Sequence, residues 1–181
     1  MFDYKETRAD RVATLKRLFD IKLSAGFLIA CADFEWTVRR VILAIGNSTT
    51  KEIREHEFVT LDSDHKLRYV CGLQKYKAIW KKEVAPLYEC GDLDTFLNKN
   101  VKANTIQGYK KERRGNTWEI LNTVFSLRNR LVHGVRSHVD DEISAFAFHF
   151  IVKCSDLLTE YAEKNGVPIY GKKLVRIKPR G

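Results

Sequence analysis

Proline is scarce in this sequence, with only Pro86, Pro168 and Pro179 among 181 residues. Because proline lacks a backbone donor and clashes inside a helix, its scarcity permits long helices along most of the chain. Cysteines are also few and far apart, and no C-x-x-C pair occurs; they stand at positions 31, 71, 90 and 154. This spacing predicts free thiols in a reducing cytoplasm and not a disulfide scaffold.

Long apolar runs are missing too. Uncharged stretches such as residues 23–32 are much shorter than the roughly 20 residues that a membrane-spanning helix needs. The first residues lack the basic-then-apolar order of a signal peptide, and the histidines show no metal-ligand spacing. We therefore expect no membrane partner, no metal and no cofactor, and a cytoplasmic location.

Negative charge is in deficit, since 32 lysines and arginines face 23 aspartates and glutamates, a net charge of +9. Such a balance favours a polyanionic partner such as nucleic acid. A basic surface that only keeps the protein soluble accounts for the charge equally well.

Apolar residues recur at helical spacing in several segments. Residues 23–45 predict one long helix, which Gly46 ends, and residues 12–19 predict a shorter helix before it. Ser63 and Asp64 predict the start of a helix that Pro86 limits. Further helices are predicted from Asn116 to Gly134, and from a capping-box-like pair, Ser137 and Asp140, to Asn165.

The predicted fold class is therefore all-α, an up-and-down bundle of four to five main helices. We expect a single domain over residues 1–166, in which residues 92–115 form a connection over the surface. Residues 167–181 would form a short basic tail, for which a small hairpin and a disordered arm are both compatible with the sequence.

Arg128 falls in the middle of an apolar arc when residues 117–133 are placed on an ideal helix. A guanidinium there needs a partner or a polar cavity. His133 lies about 140° from Arg128 around that helix, so the two do not meet on a straight helix. They would meet if the last turn loosens at Gly134, or if two copies of the helix pair across a two-fold axis, which implies a homodimer.

The string Arg128-Asn129-Arg130-Leu131-Val132-His133 resembles the motif of the HEPN superfamily, in which an Arg is separated from a His by four to six residues and Asn often follows the Arg directly. Members are helical bundles that commonly dimerise around a shared cleft. Many are metal-independent endoribonucleases of toxin, antiviral defence or RNA-processing systems, and others only bind nucleotides or proteins. In one subgroup of toxins a Tyr stands two positions after the His; here Val135 does, so the resemblance does not extend to that subgroup or its antitoxin.

The resemblance implies catalytic roles for Arg128, Asn129 and His133. A histidine can move a proton near neutral pH, a fixed arginine can face the charge of the transition state, and Asn129 would orient the histidine or a phosphate oxygen. The alternative is that Arg128 forms a buried ion pair while His133 only caps the helix end. Three functions for the whole protein follow from these interpretations. It would be a ribonuclease acting on RNA, a purely structural bundle, or a non-catalytic module that binds RNA, a nucleotide or a protein. An antitoxin or another regulatory protein would be a further partner.

Two further groups are candidates for supporting roles. A basic run just before the motif helix would hold RNA; it consists of Lys110, Lys111, Arg113 and Arg114. Glu35 pairs with Arg39 at i, i+4 as an ordinary surface salt bridge, or instead binds the motif arginine from an earlier helix.

Overall fold

The structure is a computed structural model, and it describes residues 6–46, 60–61, 67–68, 73–110, 115–134 and 139–170. These residues form an all-helical bundle, as predicted. In chain order the helices are α1 (Arg8–Ile21), α2 (Leu23–Ile45), α3 (Leu73–Glu83), α4 (Ala85–Tyr88), α5 (Leu93–Asn100), α6 (Thr117–Val132) and α7 (Asp141–Lys164), with a 3₁₀ turn at Ala103–Thr105. Two short strands, β1 (Thr60–Leu61) and β2 (Leu67–Arg68), form an antiparallel pair.

Helix α2 is the centre of the bundle and contacts α1, α3, α6 and α7. Its apolar residues at steps of three and four, such as Phe27, Cys31, Phe34 and Val38, are fully buried. The close approach of α1 depends on Gly26, because a Cβ at that position would lie 2.5 Å from the Cα of Phe19. In the part of the chain that the structure describes, no helix is both long and apolar enough to cross a membrane.

Several helix starts follow from side-chain caps. Asn116 accepts a hydrogen bond from the backbone N–H of Glu119, whose carboxylate accepts one in return, so the helix predicted from Asn116 begins there. Helix α7 begins one turn later than Ser137 would place it, because the side chain of Asp140 is the N-cap. Ser137 itself lies outside the described residues.

Two predicted segments differ from the structure. The helix expected from Ser63 begins only at Leu73, because Leu67 lies in β2; Ser63 and Asp64 are outside the described residues. Gly72 stands inside the predicted helix, where glycine costs about 1 kcal/mol relative to alanine.

Residues 92–115 were expected to be a surface connection, but they include α5, whose Leu93 and Leu97 are fully buried. An eight-residue helix holds too few repeats to show a helical period.

The packed part of the chain continues beyond the expected boundary at residue 166. Ile169 is fully buried, and its carbonyl accepts a hydrogen bond from Nε of Arg40 at 2.5 Å. The ring of Tyr170 lies 5.4 Å from that of Trp36. Residues 167–170 therefore belong to the bundle, whereas the rest of the predicted tail lies outside the described residues.

A buried ion cluster joins α1 to α2 and α7. Asp33 is fully buried; its Oδ1 lies 2.7 Å from Nη2 of Arg11 and its Oδ2 accepts a bond from Nη1 of Arg8 at 2.7 Å. Nε of Arg8 in turn donates to Asp156 at 2.7 Å. Burial by itself lowers the pKa of Arg8, but the attraction of Asp33, Tyr170 and Asp156 outweighs it, and the net effect raises that pKa. Arg8 thus stays charged, and its ion pairs fix the first helix on the bundle.

Candidate functional site

Helix α6 ends immediately after the motif that the sequence singles out. Val132 is its last residue and His133 is the C-cap, with φ −89° and ψ 11°, and the His133 N–H donates to the carbonyl of Asn129 at 3.0 Å. Gly134 follows with φ 68°, a left-handed conformation that favours glycine. The chain therefore leaves the helix axis at His133, and the imidazole stands at the exposed end of the helix.

A polar stripe runs along the outer side of α6. It consists of Asn122, Ser126, Asn129 and His133. Steps of four, three and four residues place these side chains within an arc of about 60°. They are exposed or half-buried, while Leu121 and Val124 lie outside that arc and are buried in the core. Helix α6 thus presents to solvent one face that carries amide, hydroxyl and imidazole groups.

Arg128 starts about 100° from Asn129 on the helix, but its long side chain reaches toward the stripe. Its Nη1 donates to Oδ1 of Asn129 at 2.8 Å, and its Nη2 lies 3.9 Å from Oε2 of Glu35 on α2. The side chains of Arg128 and Glu35 are 27% and 14% exposed. The structure therefore places Glu35 beside the motif arginine, which is one of the two positions expected for it.

These groups line one open depression with a volume of about 390 Å³. Its walls come from α2, the start of α3 and α6; the lining residues are Glu35, Leu73, Gln74, Asn122, Phe125, Ser126, Arg128, Asn129, Arg130 and His133. Arg128 and His133 of one chain therefore border the same space.

The depression has two guanidinium groups with different surroundings. That of Arg128 is held by Asn129 and faces Glu35. Arg130 is exposed, and among the described residues it has no hydrogen-bond or ion-pair partner. Below the site, burial raises the pKa of the Cys31 thiol, on which Arg128 and Glu35 act in opposite directions. Cys31 therefore stays protonated and is not a nucleophile.

The arrangement suits chemistry on an anionic group. A phosphate in the depression would meet a fixed guanidinium, an amide that can still donate through Nδ2, and an imidazole that can give or take a proton. The depression is open, and its volume is in the range of small-ligand sites.

The predicted RNA-binding run is only partly within the described residues. Lys110 pairs with Glu142 at the start of α7, so its charge is already offset there. Lys111, Arg113 and Arg114 lie outside the described residues. Among the side chains that the structure describes, no group of three or more His, Cys, Asp or Glu residues is placed to hold a metal ion.

Sequence reasoning missed four polar residues of the site: Gln74, Asn122, Ser126 and Arg130. For Asn122 and Ser126 a signal was present, because they precede Asn129 and His133 at helical spacing. No pattern in the sequence points to Gln74, which reaches the site only because α3 packs against α2.

No protein family, curated protein or solved structure matches this chain.

Proposed function

We propose that this protein is a metal-independent endoribonuclease of the HEPN type, acting in the cytoplasm, with Arg128, Asn129 and His133 as its catalytic residues. The observation that carries the proposal is that all three line one open depression in a single chain. The net charge of +9 supports a polyanionic substrate. A toxin or antiviral defence role is the setting that the motif's resemblance implies.

In this mechanism the 2′-oxygen of a ribose forms a bond to the adjacent phosphorus, and the bond from phosphorus to the 5′-oxygen breaks. The 2′-hydroxyl loses a proton and the 5′-oxygen gains one. His133, at the exposed end of α6, carries out one of these transfers. The Arg128 guanidinium stabilises the negative charge that develops on the phosphoryl oxygens. Asn129 holds that guanidinium through Oδ1 and offers Nδ2 to the phosphate.

Glu35 is a positioning residue in this proposal, because its carboxylate lies 3.9 Å from the Arg128 guanidinium. A carboxylate beside a half-buried guanidinium reduces the cost of its burial and limits its rotamers. The arginine is then already oriented when the substrate arrives.

The direct test is to incubate the purified protein with single-stranded RNA in excess EDTA. We expect cleavage that leaves a 2′,3′-cyclic phosphate and a 5′-hydroxyl, because the 2′-oxygen is the nucleophile. A 2′-O-methyl strand of the same sequence is the matched control and should stay intact. Cleavage of that control, or a requirement for Mg²⁺, would contradict the mechanism. Binding of RNA without any cleavage would favour the alternative function, a non-catalytic RNA-binding module.

We also propose that the protein is a two-fold homodimer with α6 at the interface. Val132 is apolar yet 55% exposed, next to His133 at the end of that helix. A second copy would cover it and add the other wall of an RNA cleft. Light scattering at micromolar concentration should give twice the mass of one chain. In the Val132→Lys variant the measured mass should fall to that of a single chain.

Mixed dimers show whether each chain supplies its own site. Because Arg128 and His133 of one chain share a depression, mixing Arg128→Ala and His133→Ala proteins should recover no activity. If the arginine of one chain serves the histidine of its partner, the mixture would instead recover about a quarter of the wild-type rate, since half of the dimers would hold one intact site of two.

A further inference from the structure

The positive charge of the depression is distributed unevenly between its two arginines. Arg128 faces Glu35, and one carboxylate offsets one guanidinium. Its Nη1 is also engaged by Asn129. Arg130 lines the same depression, is exposed, and among the described residues has neither an ion pair nor a hydrogen bond. The lining therefore carries an excess positive charge, and that charge is on Arg130.

Arg130 is also placed at the edge of the depression, where it can contact a bound strand. On α6 it lies about 60° from His133 and about 160° from Arg128, on the far side of the polar stripe. Arg128 and Arg130 therefore flank the stripe from opposite sides, with Asn129 and His133 between them. A strand lying along this face would place one phosphate near Arg128 and present a neighbouring phosphate to Arg130.

We propose that Arg130 is the phosphate-binding residue that holds the strand, and that its ligand is a phosphodiester next to the one that is cleaved. A free guanidinium binds phosphate with two parallel hydrogen bonds and full charge. Arg128, by contrast, contributes little net attraction before the reaction because Glu35 offsets it. The distinction between a cleaved and a neighbouring phosphodiester rests on the proposed ribonuclease function, but the binding role of Arg130 does not require cleavage.

Three variants of the full chain test this role. Arg130→Gln removes the charge, Arg130→Lys keeps it, and Arg17→Gln removes the same charge from an exposed position on α1 that does not line the depression. The probe is a short 2′-O-methyl oligouridine, which binds without being cut, and the affinity is measured by fluorescence anisotropy over a series of salt concentrations.

We expect Arg130→Gln to weaken binding on the order of tenfold and to flatten the log-affinity against log-salt slope by about 0.7, the value for one lost contact on single-stranded nucleic acid. Arg130→Lys should keep the slope, and Arg17→Gln should match wild type. Arg130 is also in the last turn of α6, where a cation stabilises the helix end. That structural role would lower the thermal midpoint of Arg130→Gln but would leave the salt slope unchanged.

An unchanged slope in Arg130→Gln, or no binding of the oligouridine by wild type, would overturn the proposal. The same variants separate it from the proposed function when RNA is the substrate. With active enzyme, Arg130→Gln should raise KM and leave kcat close to wild type, as expected for a group that binds ground and transition states alike. A flattened slope in a protein that never cleaves RNA would overturn the ribonuclease and leave Arg130 as its phosphate contact.

Discussion

Replacement of His133 by alanine should reduce RNA cleavage in EDTA by roughly 10²- to 10⁴-fold, the contribution of one positioned acid or base. His133 is the C-cap of α6 and is exposed, so its removal leaves no cavity in the core. The fold should therefore persist, and RNA binding should change little. The measurement is the single-turnover rate on a labelled strand, with circular dichroism to confirm that the helices remain.

His149→Ala is the matched control, because it removes a histidine that packs on Phe19 and does not line the depression. Burial and the nearby Lys16 lower the pKa of His149, so it is mostly neutral at pH 7. Its replacement should leave the cleavage rate close to wild type. A His133→Ala protein that still cleaves RNA at the wild-type rate would remove this histidine from the mechanism.

The helices that carry the core could be predicted because their apolar residues repeat over many turns. Helix α2 has the predicted bounds, and α6 begins at the predicted cap, Asn116. The short helix α5 could not be predicted, since its burial comes from contacts with α3 and α6 and not from a long periodic stripe. Leu67 falls inside the helix that the sequence predicts from Ser63, yet its backbone pairs with Leu61 of β1.

The site could be predicted only in part, for a related reason. The motif residues lie on one helix, and helical geometry fixes their angles. It does not fix how far a flexible arginine side chain bends, so the contact of Arg128 with Asn129 does not follow from their positions on an ideal helix. The contact between Glu35 and Arg128 depends on the packing of α2 against α6, which a single sequence does not specify. On an ideal helix Val132 lies about 40° from Arg128, within the apolar arc, but the helix ends there and leaves it exposed.

Helix α2 contributes one carboxylate to the buried ion cluster and another to the depression, so substitutions in this helix can affect stability and the proposed activity separately. Asp33 and Glu35 are about 160° apart around the helix. Asp33 meets the arginines of α1, whereas Glu35 meets Arg128 in the depression. Charge changes at these two positions should therefore have different consequences, although they are two residues apart.

Asp33→Asn should lower the free energy of unfolding by about 3–5 kcal/mol, the cost of removing one partner from a buried ion pair. Arg11 is fully buried and would lose its short ion pair with Asp33, keeping only the Glu6 carboxylate at 4.0 Å, and Arg8 would lose one of its two carboxylate partners. The measurement is urea unfolding followed by circular dichroism. Asp156→Asn is the matched control; its side chain is 33% exposed, and we expect a loss of at most about 1 kcal/mol. Equal losses in the two variants would mean that the buried cluster does not hold α1 on the bundle.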